Sequence, residues 1–333
     1  MTVHLVDQHV VPPGSVAKLV QLVREHGVPL METAGASFVS CEQAPDLGDD
    51  IEVLTTWSCA DFAEWNGIRR NLMFAPRYHA YSAELAALRR GGTRRFYADA
   101  PLAASTPGAA PPDDGGPAIR RWEMFTIEPT APAADRERLW RAMRDCDRFI
   151  PGITRCAVGT NTAAGPIELV WETTYASIDA YATTYMTHPY HAALLDRFLL
   201  PDCPERITTT NDFGAGLIGY TVERDRPLGP VALRRLVLLD FSDLGEADHA
   251  GRAVAATDDG WSESILAENT MATRWFDAET DLGGRPAWSH LWDQCFASVE
   301  QYEAHRRGAS GAAVVEASLA VRSAEVVYVP EAG

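Results

Sequence analysis

The chain has 333 residues, is 46% hydrophobic and carries a formal charge of -17. That length can bury two or three cores, no apolar run is long enough to span a bilayer, and the acidic balance repels nucleic-acid phosphates and anionic membranes. Met1 to Asp7 lack the basic region and apolar core of a secretion signal, and the six cysteines have no short paired spacing, so the sequence predicts a cytoplasmic protein with reduced thiols.

Residues 3–10 read as a strand, 15–31 as a helix, 36–43 and 51–58 as strands, 59–89 as a broken helical region and 93–98 as a strand. Segment 101–119, rich in Pro, Gly and Ala, has linker composition. The same order then returns as strand 120–128, helix 134–147, strands 153–161 and 167–175, helix 177–200 and strand 206–210. After a weaker divider from Arg224 to Pro230 it returns once more, through 233–242, 247–257, 264–276, 287–296, 298–323 and 324–330. Three β-α-β-β-α-β units of similar length predict an α+β protein of tandem ferredoxin-like repeats with antiparallel sheets, over residues 1–100, 120–222 and 231–333.

The chemistry concentrates in the middle repeat. Pro189 disfavours helix at His188 and suits the first turn of a new helix, so the helix from Ser177 should break there. Tyr185 ends the first piece and His191 opens the second, which makes a phenol and an imidazole a candidate acid/base pair. On the strand from Arg120, alternation sets Arg121, Glu123, Phe125 and Ile127 on one face and Trp122, Met124 and Thr126 on the other. A buried Arg and Glu two residues apart pair with each other or contact a ligand, because an unpaired buried charge is costly. His188 and His191 lack a third ligand at metal spacing, and no glycine-rich phosphate loop or Gly-x-Ser-x-Gly occurs, so neither metal nor cofactor is expected.

The middle repeat resembles the stress-responsive A/B barrel (Dabb) family of dimeric α/β-barrels through Ile150-Pro151-Gly152-Ile153, the strand Glu168 to Glu172 around Trp171, and Tyr185-x-x-His188-Pro189-x-His191. The first repeat is similar to NIPSNAP-type domains through Pro12-Pro13-Gly14 and Arg69-Arg70-Asn71-Leu72 before Ala75-Pro76. The Dabb resemblance implies a sheet that pairs with a second sheet to close a barrel. It also puts the roles of a ring-closing Tyr and His on Tyr185 and His191. A further histidine of such cyclases falls on Arg121, which cannot act as a neutral base but can hold a carboxylate or enolate. Aligning Pro76 with Pro189 sets Tyr78 at the His191 position of repeat one, where it becomes a candidate pocket wall.

The expected activity is cofactor-independent proton transfer on an apolar, carbonyl-bearing small molecule of secondary-metabolite type, by cyclisation, isomerisation or dehydration. His191, Tyr185 and Arg121 would be catalytic, and His188, Glu123, Phe125, Trp171 and Tyr78 would line the substrate. The alternatives are a cofactor-free oxygenase and a non-catalytic protein that sequesters a hydrophobe. Three sheets leave one without an internal partner, so a homodimer is expected, with repeats one and two pairing within the chain and repeat three pairing with its copy. Repeat three's first strand, Leu236 to Leu239, offers no charged residue comparable to Arg121 and reads as a packing unit.

Overall fold

A computed structural model describes residues 1–45, 49–73, 75–99, 117–209, 217–222, 231–240, 263–269, 288–308 and 322–332. Strand β1 (Val3–Val11) alternates buried and half-buried residues along its whole length, the period-two pattern of a strand covered on one face. It is central: β3 (Ile51–Cys59) and β4 (Gly91–Ala98) flank it antiparallel, and β2 (Ser37–Pro45) pairs with β3. Phe96, opposite Leu5, meets Phe62 and Trp65 of α3 (Phe62–Met73) at ring distances of 5.7 and 5.4 Å, so the buried face is the helix face. Helices α1 (Pro13–Leu22) and α4 (Pro76–Leu88) each carry proline in the first turn, where a missing N–H costs nothing. A π-helical turn, Val23–Gly27, leads from α1 into α2 (Val28–Ala34). Gly35 ends α2 at φ 116°, a left-handed conformation that lets its own N–H and that of Ala36 return to the Met31 carbonyl.

Repeat two supplies β5 (Ala118–Phe125), α5 (Ala133–Arg144), β6 (Ile153–Thr160), β7 (Leu169–Tyr175) and β8 (Leu217–Val222). Its second helical region contains π-helical turns at Ala180–Tyr185 and His191–Leu195 and a short α6 (Asp196–Leu199). Repeat three supplies β9 (Leu233–Asp240), β10 (Glu263–Glu268), β11 (His290–Phe296), α7 (Val299–Gly308) and β12 (Arg322–Tyr328). A final β13 (Glu331–Ala332) joins repeat two's sheet beside β6. The sheet orders are β2-β3-β1-β4, β13-β6-β7-β5-β8 and β10-β11-β9-β12, so each repeat places its first strand between its third and fourth. This is the antiparallel ferredoxin-like order, and the protein is α+β.

One expected element differs. The fourth strand of repeat two lies at 217–222, not 206–210, because the extended chain there bonds elsewhere: Ile207 N–H donates to Phe198 O and Ile207 O accepts from Glu128 N–H. The expected helix 247–257 lies outside the described residues.

The chain forms two compact units, the first comprising residues 1–112, 128–152 and 179–211 and the second 113–127, 153–178 and 212–333. Repeat two is thereby divided, its helices in unit one and its strands in unit two. Within unit two the sheets of repeats two and three meet face to face, with Trp122, Met124, Val170 and Tyr220 against Leu236, Leu238, Leu291, Val326 and Tyr328. Cross-sheet hydrogen bonds tie both edges: Val327 N–H to Asn161 Oδ1 at 2.9 Å on one side and Gly219 N–H to Asn269 Oδ1 at 3.2 Å on the other. The intrachain sheet pairing is thus between repeats two and three, not one and two. Alternation identifies a strand's buried face but not the sheet that covers it.

Candidate functional site

The helix break falls where Pro189 requires it. A turn at Met186 and Thr187 leads to a non-helical His188, whose N–H bonds Tyr185 O at 3.1 Å, and the chain re-enters helix at Pro189. On either side the helix is π-wound, with hydrogen bonds spanning five residues: Met186 N–H returns to Tyr181 O and Asp196 N–H to His191 O. The wider turn sets residues five apart on one side, so His191 and Asp196 meet, with Nε2 and Oδ1 3.5 Å apart. Tyr185 lies over the imidazole with ring centroids 4.2 Å apart, and Tyr181 stacks on Tyr185 at 5.5 Å. Arg69 of α3 grips Asp196 with Nη1 2.8 Å from both carboxylate oxygens, and its Nη2 donates to Asn66 Oδ1 at 3.2 Å. Tyr185, His191, Asp196 and Arg69 are 1, 5, 2 and 6% exposed, so these charges interact with little solvent screening.

Asp196 and Arg69 were not visible as site residues in the sequence. An α-helix turns residues five apart to different faces, and only the π turn brings 191 and 196 together. Arg69 comes from a different repeat.

Beside this cluster Arg94 is buried between two carboxylates: Nε and Nη2 donate to Asp7 at 2.7 and 2.6 Å, Nη1 and Nη2 to Asp202 at 3.2 and 2.6 Å. Burial raises the Asp7 carboxyl above its usual range. It also opposes ionisation of Asp202, but Arg94 and the Tyr78 hydroxyl hold that carboxyl below its usual range. Tyr78 is buried in this cluster.

Two buried imidazoles resist protonation. Burial, with Arg89 and Arg94 nearby, lowers His9 from 6.5 to about 3, and burial lowers His188 from 6.5 to about 4. Arg89 Nη1 lies 3.3 Å from His9 Nδ1, and Tyr190 N–H donates to His188 Nδ1 at 3.2 Å, so both rings use Nδ1 as an acceptor. Because the folded protein binds fewer protons than the unfolded chain between these values, stability is full above 6.5 and falls as pH drops toward 4. Thermal midpoints should decline over that interval, and the double variant His9→Asn, His188→Asn should have a flatter profile. An unchanged slope would refute the assignment.

Arg121, Glu123, Phe125 and Trp171 lie in unit two on one face of repeat two's sheet. Arg121 pairs with Glu123, its Nη1 donates to Tyr175 Oη at 3.0 Å, and its guanidinium lies 5.2 Å from the Trp171 ring centroid. Tyr185, His188, His191 and Tyr78 belong to unit one. The opposite face of β5 carries Trp122 and Met124 into the core between the sheets, and Arg120 goes with them: its Nη1 meets Tyr220 Oη at 3.2 Å and Asp293 Oδ2 at 3.4 Å. Repeat three's first strand does contribute a buried charge there. Arg234 Nη1 lies 3.1 Å from Asp293 and 3.4 Å from Glu172, whose Oε2 accepts from Tyr328 Oη at 2.9 Å.

Residues 119–209 match the family described as Stress responsive A/B Barrel Domain. No curated protein matches the chain. Among solved structures it is similar to a NIPSNAP family protein from Agrobacterium tumefaciens strain C58, with 18% identity over 30% of this chain and 94% of that one and a TM-score of 0.27. A NIPSNAP domain protein from Burkholderia xenovorans matches at 18% identity over 30% of this chain and 95% of that one, TM-score 0.27. An anthrone oxidase-like protein matches at 12% identity over 64% of this chain and 91% of that one, TM-score 0.41. Over residues 119–209 the chain is thus similar to the stress-responsive A/B barrel family.

Proposed function

We propose that the protein is an enzyme of proton transfer, acting on an apolar small molecule that bears a carbonyl and catalysing cyclisation, isomerisation or dehydration. The observation that carries this reading is the Tyr185 ring 4.2 Å from an imidazole whose Nε2 lies 3.5 Å from Asp196. In this reading His191 removes a proton next to the carbonyl and Tyr185 donates a hydrogen bond to the developing oxyanion. Arg69 holds Asp196 in place, and the carboxylate orients the ring and favours the imidazolium formed during transfer. Within unit one, His188 and Tyr78 are proposed to line the substrate beside Tyr185 and His191; within unit two, Arg121 with Glu123, Phe125 and Trp171 is proposed to hold an acidic group by itself.

Hydrogen exchange tests the reading before the substrate is known. In D2O the wild-type protein should deuterate apolar methyl ketones such as acetophenone faster than an equal concentration of imidazole, and His191→Gln should not. Binding of these ketones without faster exchange would identify a sequestering protein instead.

Assembly follows from the first sheet. The face of β1 and β3 turned away from the helices carries His4, Val6, Gln8, Val10, Leu54 and Thr56, all half-buried, whereas repeats two and three cover their corresponding faces with each other. We propose a homodimer in which this face of repeat one meets its copy. Light scattering should give twice the chain mass at micromolar concentration, and Val6→Lys with Leu54→Glu should give monomer. A wild-type monomer would overturn the assembly.

A further inference from the structure

Unit one also contains a cleft of about 260 Å³ whose lining is rich in positive charge, against the sign of a chain with net charge -17. Arg89, Arg90 and Arg206 line it together with one carboxylate, Glu128, and the apolar faces of Ala86 and Pro204. The neighbouring carboxylates are already engaged. Asp202 holds Arg94, Glu205 pairs with Arg95 and Arg197, and Asp50 meets Arg90 at 2.9 Å. Arg89 is fixed by main-chain carbonyls, its Nη1 donating to Asp202 O at 3.0 Å and its Nη2 to Cys203 O at 2.8 Å, and these bonds leave its charge in place. Burial presses both the Arg89 and Arg206 guanidiniums below their ordinary values, although Glu128 favours the charged form of Arg206. An anion entering the cleft would offset that cost.

The volume equals that of roughly eight or nine waters, enough for one small organic anion. Planar guanidiniums suit a carboxylate, and the proline and alanine wall suits an apolar body, whereas a phosphate dianion would meet Glu128 with no apolar part to bury. We propose that this cleft binds a small carboxylate with an apolar body, its carboxylate toward Arg206 and Arg89 and its body against Ala86 and Pro204.

Benzoate is the probe, with inorganic phosphate as the comparison, each titrated into the full chain by calorimetry. Benzoate should bind saturably. Arg206→Gln should weaken it about tenfold or more by removing a charged hydrogen-bond donor. Ala86→Phe, at an exposed helical position, should block the cleft and weaken benzoate at least as much, so the test survives if the arginine variant folds poorly. Absence of saturable benzoate binding, indifference to Ala86→Phe, or phosphate binding as tightly as benzoate would overturn the proposal. Neither substitution touches Tyr185 or His191, so ketone exchange succeeds or fails independently.

Discussion

Tyr185→Phe and His191→Gln should each lower turnover about 10²- to 10⁴-fold, the usual contribution of a positioned acid or base, while the melting temperature should change by only a few degrees. Both substitutions conserve shape, which matters because both side chains are buried. Phe retains the stack on Tyr181 and the contact with the imidazole, losing only the hydroxyl. Gln retains a polar group opposite Asp196, so the carboxylate gripped by Arg69 is not left facing an apolar gap. Asp196→Asn should cost less in rate and shift the pH profile, since it changes the orientation and basicity of the ring without removing it. Rates on whichever ketone exchanges fastest, measured with calorimetric melting of the same preparations, decide the matter. Wild-type rates in both variants would show that the site is wrong.

Arg234→Met should destabilise the protein by about 3–5 kcal/mol, because it leaves Glu172 and Asp293 buried without their shared cation. Neutralising the carboxylates in that background, with Glu172→Gln and Asp293→Asn, should recover part of the loss, since the penalty belongs to unpaired charge more than to lost packing. Urea denaturation of the three proteins measures both effects. A loss under about 1 kcal/mol for Arg234→Met would mean that Arg120, 3.4 Å from Asp293, serves these carboxylates well enough without it. The same cluster depends on acidity in a definite direction. Burial alone would raise the Glu172 carboxyl, but Arg234, Arg155 and Arg120 with the Tyr328 hydroxyl outweigh it and hold it below 4.5. Its contribution is present above 4.5 and is lost as pH falls through the lower folded value.

Element order was legible because strands and helices repeat their periodicities three times, and the Pro189 break was legible because proline restricts its predecessor. Pairing between sheets was not. Trp122 and Met124 announce a buried face, but nothing in β5 states that Leu236 and Leu238 cover it. The motif from Tyr185 to His191 identified two members of the buried cluster, whereas Asp196 was hidden by the π register and Arg69 by its distance along the chain. Arg120 and Arg234 were missed for a different reason: arginine at a strand start reads as solvated, and only the facing carboxylates of Glu172 and Asp293 explain its burial.

The alternation of the chain between its two units means that the sequence repeat is not the piece that can be cut out. An excised 120–222 fragment would have its helices without the Arg69 clamp and its strands without repeat three's sheet, so it should express as an aggregating, incompletely ordered polypeptide. Neither unit can finish until synthesis has passed residue 211, since each draws on segments separated by parts of the other. A nascent chain stalled before that point should remain a chaperone client, however complete repeat one looks by itself.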